Sequence, residues 1–273
     1  MARTENDRAA RQLVETSKLF GVDFVPVKMN RARASAAASE EGASAAVEQP
    51  VAEAAPSRPP TVAPRSQGRL SREEKIARLA ELRKRHDAEC PHCTRSTTHK
   101  NIAFSDGDPA AELMFIGEAP GEEEDKQGIP FVGRAGQLLN DMIKAMGLSR
   151  DENAVTKGVY IANVLKCRPP NNATPTPDEA SKCGPYLQEQ VAIVQPRVIV
   201  TLGNPATHYI LNTTKGITSL RGTWQSYNGA GGIPVMPTYH PAFLLRQYTP
   251  ENRKKVWSDL QQVMERLKTP GAQ

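Results

Sequence analysis

The sequence has no apolar run near the roughly 18 residues that a membrane span requires. Its opening, MARTENDRAARQ, has no apolar segment that could serve as a secretory signal. The expectation is a cytoplasmic protein without membrane association, working at the nucleoid if its source is bacterial. Cysteine is also sparse, with four in 273 residues. In a reducing compartment four thiols point to metal ligands, catalytic groups or buried side chains before disulfides. No internal repeat is evident, which excludes a solenoid or propeller. Charge is nearly balanced, with Lys+Arg 35 against Asp+Glu 30, a surplus of +5. So small a surplus is compatible with an anionic partner such as nucleic acid but does not demand one.

What is present suffices for one core. Hydrophobic residues make up 38% of the chain, and the 22 prolines exceed the usual ~5%, so part of the length reads as linker. Residues 31 to 69 hold 12 Ala, five Pro and five Ser and no aromatic residue, too little apolar surface to offset the entropy of ordering. The division is therefore a short helical, docking-type segment over 1–30, a disordered Ala/Pro/Ser-rich linker over 31–70, and a folded domain over 71–269. The first segment, with Leu13, Leu19 and Phe20, is too small to fold alone and suits a protein partner held on a leash.

Within the folded region, Ser71 and Glu74 have capping-box spacing, followed by Ile76, Leu79 and Leu82 on one helical face. Short apolar runs then alternate with helical patterns. Leu113 to Ile116 precedes Arg134 to Met146, Val159 to Leu165 precedes Pro177 to Val194, and Val198 to Leu202 precedes Pro205 to Leu211. Ile233 to Tyr239 precedes Pro241 to Gln247, and a last helix carries Val256, Leu260, Val263, Met264 and Leu267. Thr176, Pro177 and Glu179 mark a helix start with N-cap, first-turn proline and capping box. Apolar strands alternating with helices predict an α/β fold, a three-layer α/β/α sandwich around a central parallel sheet. Ligands bind such sheets at the carboxyl ends of the strands. The unusual residues gather there: GEAPGEEED (Gly117 to Asp125), Asn163, Gly203 with Asn204, and His240.

Cys90 and Cys93 form a C-x-x-C pair, and Cys167 and Cys183 are separated by fifteen residues. Four thiolates suit tetrahedral zinc or a cubane iron-sulfur cluster equally, and the spacing does not decide between them. Structural zinc sites commonly use two close pairs; only one is close here, which favours iron-sulfur.

GEAPGEEED, GIPFVGRAGQLL, NVLKCRPPNN, VIVTLGNPA and YHPAFLLR, in this order and with all four cysteines, closely resemble the family 4 uracil-DNA glycosylases, the iron-sulfur branch of that superfamily. The match runs from about Glu89 to Leu267. The resemblance implies an enzyme acting on uracil-containing DNA, which hydrolyses the N-glycosidic bond of deoxyuridine and leaves an abasic site. It also implies a 4Fe-4S cluster on Cys90, Cys93, Cys167 and Cys183 with a mainly structural role, in a monomeric protein.

The same resemblance assigns roles within the site. Phe131 is the aromatic platform for the base, and Asn163 pairs with the Watson-Crick edge of uracil. His240 supports O2 as negative charge gathers on the leaving base, and Glu118 occupies the acidic position beside the developing sugar cation. Gly117 and Ala119 bring backbone close to the base; Ala119 stands where many relatives carry glycine. Phe243, Leu244, Leu245 and Arg246 match a loop that enters the minor groove, although the same residues could start an amphipathic helix with its leucines turned inward. Lys166 and Arg168 are expected phosphate contacts. The run Glu122 to Asp125 reads as a solvated acidic loop, and His86, His92, His99 and His208 as structural or solvated.

Other readings have less support. A class that crosslinks to uracil-DNA through a histidine in a basic insertion is disfavoured, because VLKCRPPNNATPTPDEASKC follows Asn163 with no such insertion. A non-catalytic iron-sulfur scaffold for DNA would not need Glu118, Asn163 and His240 together. A nucleotide-phosphate-binding reading of GEAPGEEED is weaker, because the motif lacks the G-K-[ST] ending and crowds acids where phosphates would sit.

Overall fold

The structure, a computed structural model, describes residues 68–90, 99–151 and 157–269. The helical docking segment expected over 1–30, nearly all of the linker, and Cys93 with His92 lie outside the described residues. The helices are α1 (Arg72–Glu89), α2 (Glu122–Gln127), α3 (Arg134–Ala145), α4 (Pro177–Val194), α5 (Asn204–Leu211), α6 (Ile217–Leu220), α7 (Pro241–Arg246) and α8 (Pro250–Lys268). The strands are β1 (Asp106–Gly107), β2 (Leu113–Gly117), β3 (Val159–Asn163), β4 (Val198–Leu202), β5 (Gln225–Tyr227) and β6 (Ile233–Thr238). Both expected capping boxes form. Glu74 N donates to Ser71 Oγ (3.2 Å) and Ser71 N to Glu74 Oε2 (2.8 Å) at α1. At α4, Glu179 N donates to Thr176 Oγ1 (3.2 Å) and Thr176 N to Glu179 Oε2 (2.8 Å). A cap of this kind contributes about 1 kcal/mol by satisfying backbone donors that the helix itself leaves open.

The strands form one sheet in the order β1-β3-β2-β4-β6-β5. The inner four are parallel, as the alternation of apolar runs predicted. The two edges differ from that expectation, since β1 runs antiparallel to β3 and β5 antiparallel to β6. Asp106–Gly107 and Gln225–Tyr227 are too short and too polar to register as apolar runs, so the sheet is mixed where periodicity showed only its parallel centre.

Every residue of β2, β3 and β4 is buried, and alternation along the strands divides them between two cores. Leu113, Phe115, Ile161, Val200 and Met236 face α3 and α8 through Leu139, Ile143, Val256, Leu260 and Val263. Met114, Ile116, Tyr160, Ile199 and Val235 face α1, α4 and α5 through Leu79, Leu187, Val191 and Ile210. Successive side chains of a strand point to opposite faces, so a continuous apolar run becomes two packed layers. Leu139 in α3 is fully buried. Leu139→Ala should cost about 2–5 kcal/mol of stability from lost transfer energy and the cavity left behind, read as a lower urea midpoint with an unchanged slope.

Candidate active site

Parallel pairing carries the singled-out residues to one end of the sheet. Its register sets Gly117 beside Asn163 and Leu202 beside Thr238. The connection after β2 leads toward β3, and the one after β4 leads the other way, to β5 and then β6, so the crevice between β2 and β4 is a topological switch point, the place where open α/β sheets bind ligands. Beyond the last residue of β3, Val164 N donates to Gly117 O (3.0 Å) and Leu165 N to Glu118 O (3.1 Å), which fastens the first loop against the second.

Gly117 is where the pocket closes on itself. A Cβ there would lie 2.4 Å from both Asn163 Oδ1 and Phe131 Cζ, so only glycine lets the amide and the ring approach the same point. Asn163 is 1% exposed, and its Oδ1 is a buried acceptor without a hydrogen-bond partner among the described residues. An unsatisfied buried acceptor costs about 1–3 kcal/mol, which a ligand donor would recover. Phe131 is 5% exposed, with its ring 5.6 Å from that of His240. Its φ of 55° is left-handed, a conformation that costs of order 1–3 kcal/mol in a non-glycine residue.

His240 is the N-cap of α7, and its Nδ1 accepts from Ala242 N at 3.1 Å. That bond puts the proton of the neutral ring on Nε2, leaving an N–H donor for the site. Burial, reinforced by the Arg246 cation, lowers its pKa to about 4, so the ring is neutral at physiological pH. Glu118 is shifted the other way. Burial raises its pKa above the ordinary carboxylate value, against the opposing pull of a hydrogen bond from Thr174 and the charge of Arg246. The β6 end that carries His240 is fixed by Thr238 Oγ1, which donates to the buried Asp259 at 2.6 Å, and Arg221 Nε reaches the same carboxylate at 3.1 Å.

Several expectations need correction. Lys166 is fully buried rather than poised over a phosphate: its Nζ donates to Asn163 O (2.8 Å) and Gln190 Oε1 (2.5 Å) beneath the Phe104 ring. Burial lowers its pKa to about 7. Leu244 is likewise fully buried in the core, whereas Leu245 and Arg246 are exposed. The inward-leucine reading thus holds for Leu244, while Leu245 and Arg246, in the same helical turn, stay at the surface. Arg168 stays near the surface, with Nε donating to Asn172 Oδ1 (2.8 Å) and a guanidinium nitrogen 3.8 Å from Glu122.

The acidic run is only half solvated. Glu122 and Glu123 are exposed, but Glu124 accepts from Gly121 N (3.1 Å), Val132 N (2.8 Å) and Gly133 N (2.8 Å). Asp125 accepts from Lys100 N at 2.7 Å. The spacing Gly121-x-x-Glu124 at a helix start was the available signal for this inward turn. Thr174 and Asp259 had none, because their partners are distant in sequence.

Cys90 caps the C-terminus of α1, and Cys167 and Cys183 are buried. Lys166 N donates to Cys183 Sγ at 3.3 Å, and the Tyr186 hydroxyl is within electrostatic reach of both Cys90 and Cys183. Cys90, Cys167 and Cys183 thus lie at the end of α1, in the segment after β3 and in α4, where α1 packs on α4, and cysteine thiolates are a sulfur-only donor set that suits a soft-metal centre. No group of three or more His, Cys, Asp or Glu side chains poised around a single ion occurs among the described residues, which leave out Cys93.

A family model described as the uracil DNA glycosylase superfamily matches residues 104–261. The chain belongs to that superfamily. A type-4 uracil-DNA glycosylase of Thermotoga maritima is 40% identical over 194 residues, covering 71% of this chain and 97% of the relative. Those of Sulfurisphaera tokodaii and Saccharolobus solfataricus are 45% and 43% identical, over 66% and 65% of this chain and 81% and 82% of the relatives. The chain is thus of the type-4 kind within the uracil DNA glycosylases. Among the described residues no helix is long and apolar enough to cross a membrane.

The electrostatics of this glycosylase site can be checked directly. The His240 ring should stay neutral down to about pH 4 in an NMR titration, and Arg246→Ala, by removing a nearby like charge, should move its midpoint upward.

Proposed function

We propose that the protein is a DNA-repair glycosylase that hydrolyses the N-glycosidic bond of deoxyuridine, releasing uracil and leaving an abasic site, with 71–269 as its catalytic domain. The observation that carries this reading is the buried, unpaired Oδ1 of Asn163 beside the Phe131 ring. A stacked base is out of reach of any side chain, so the nucleotide is taken from a single strand or flipped out of the duplex. Phe131 then stacks on the uracil, a contact worth about 1–3 kcal/mol. Asn163 Oδ1 accepts from N3–H while its amide donates to O4; cytosine, with an acceptor at N3 and a donor at C4, would oppose both.

As the bond between C1′ and N1 breaks, its electron pair departs with the base, and negative charge collects at O2. The Nε2–H of neutral His240 donates to that oxygen. Glu118, ionised, lies on the side of the electron-poor sugar, orients the water that bonds to C1′ and takes up the proton it releases. Gly117 and Ala119 leave their backbone close to the base, and Leu245 with Arg246 enters the space vacated in the helix. Cys90, Cys93, Cys167 and Cys183 would hold a 4Fe-4S cluster, which would supply a covalent tie between the end of α1, the segment after β3 and α4. Residues 1–30, on the 31–70 tether, serve as a docking segment for a protein partner of a monomeric enzyme in the cytoplasm.

The test is excision from an oligonucleotide carrying one uracil, with a thymine control, read by alkaline cleavage on a denaturing gel. Uracil-dependent cleavage without a shifted adduct is expected; a denaturant-stable adduct, or binding without cleavage, would overturn the reading. His240→Ala should lower kcat about 10²–10³-fold, the loss seen when one donor to a developing anion is removed. Burial holds the Glu118 pKa above the ordinary carboxylate value, so protonation of Glu118 sets the acid limb as pH falls. In Glu118→Gln the residual rate should stay flat until His240 gains its proton at about pH 4.

A further inference from the structure

The left-handed φ of Phe131 demands an explanation outside the residue itself, because a bulky side chain gains nothing from that conformation. Three features from separate parts of the chain bear on it. Arg150, beyond the end of α3, donates from Nη2 to Pro130 O and from Nη1 to Phe131 O, each at 2.6 Å. The same guanidinium is oriented by Asp106 in β1, at 2.7 Å from Nε, and by Asn140 Oδ1, at 3.1 Å from Nη1. On the other side of the residue, Glu124 Oε1 accepts from both Val132 N and Gly133 N at 2.8 Å. Gly136 completes the enclosure, since a Cβ there would lie 2.0 Å from the carbonyl carbon and oxygen of Phe131.

We infer that Arg150 is a positioning residue for uracil excision, acting with Glu124 as a two-sided clamp that holds Phe131 in its left-handed turn and so presents the ring to the base. A cation grips the carbonyls before the turn and an anion grips the amides after it. Both sets of backbone dipoles are therefore bound by the sign of charge they prefer. The planar fork of arginine matches two neighbouring carbonyls, which a lysine ammonium cannot do in the same way. Only 18% of the Arg150 side chain is exposed, and each of its nitrogens has a protein partner, so it is not in place to hold a phosphate. Without the fork, Phe131 relaxes toward an ordinary φ, and the ring leaves the point above Gly117 where it meets Asn163.

The inference rests on Phe131 being the platform, and a double-mutant cycle separates the two claims. Single-turnover excision of uracil is measured for Phe131→Ala, Arg150→Met and the pair, alongside affinity for DNA carrying a tetrahydrofuran abasic analogue, which offers no base to stack. Phe131→Ala should slow excision at least about fivefold, the low end of what an aromatic stack contributes; an unchanged rate would sink the platform reading itself. Arg150→Met should cause a comparable loss with analogue affinity within twofold of the parent, and the pair should be no slower than Phe131→Ala alone. Multiplying losses in the pair, or a normal rate in Arg150→Met, overturns the clamp. Should Arg150→Met fail to fold, Arg150→Lys, which keeps a cation beside Asp106 but loses the fork, takes its place in the same cycle with the same outcomes. Gly136→Ala, which crowds the Phe131 carbonyl while leaving Arg150 intact, should reproduce the slow excision; a full rate in that variant also counts against the clamp.

Discussion

Parallel hydrogen bonding between β2 and β3 is the constraint from which the site follows. It sets Gly117 and Asn163 level with each other, and the pairing continues past the sheet through the Gly117 and Glu118 carbonyls. A shift of one residue in that register would turn the Asn163 amide to the other face, since neighbouring side chains in a strand point in opposite directions. Fully buried strands hold the register firmly, because a slip would exchange the residues of two cores at once. The chemistry thus depends on the packing of residues such as Phe115 and Ile161 that never meet a substrate.

Around this frame the protein buries ionisable groups and gives each a defined task. His240 is kept neutral by burial and by a like charge, and its backbone partner chooses the tautomer. Glu124 and Asp125 are turned inward to collect backbone amides, whereas Glu122 and Glu123 beside them remain in water. Lys166 links the carbonyl of Asn163 to Gln190, while its own amide reaches Cys183. Asn163 and Cys183 are therefore joined through one residue rather than lying in separate regions of the fold.

The sequence displayed the parallel centre of the sheet, both capping boxes and the strand-end positions of Glu118, Asn163 and His240, because each leaves a local signature in periodicity or spacing. It did not display β1 and β5, which have two and three residues and no apolar alternation. Lys166 and Leu244 were misplaced for a shared reason. Whether a lysine or leucine beside a functional residue turns in or out depends on partners such as Gln190 that are remote along the chain. Arg150 was invisible for the same reason, since Pro130, Phe131 and Asp106 are brought to it only by the tertiary fold.

The short antiparallel edges bear on how the molecule behaves among its own copies. A long, flat, apolar margin is a template on which another chain can add a strand, and it favours aggregation. Here each margin offers only two or three backbone positions, and β1 carries Asp106 with its Arg150 partner. The buried parallel strands that supply the stability are the ones most hazardous if left open, and the two polar end strands separate them from solvent. High concentrations of the folded protein should then be tolerated without fibre-like association, even though its core is built from apolar strands.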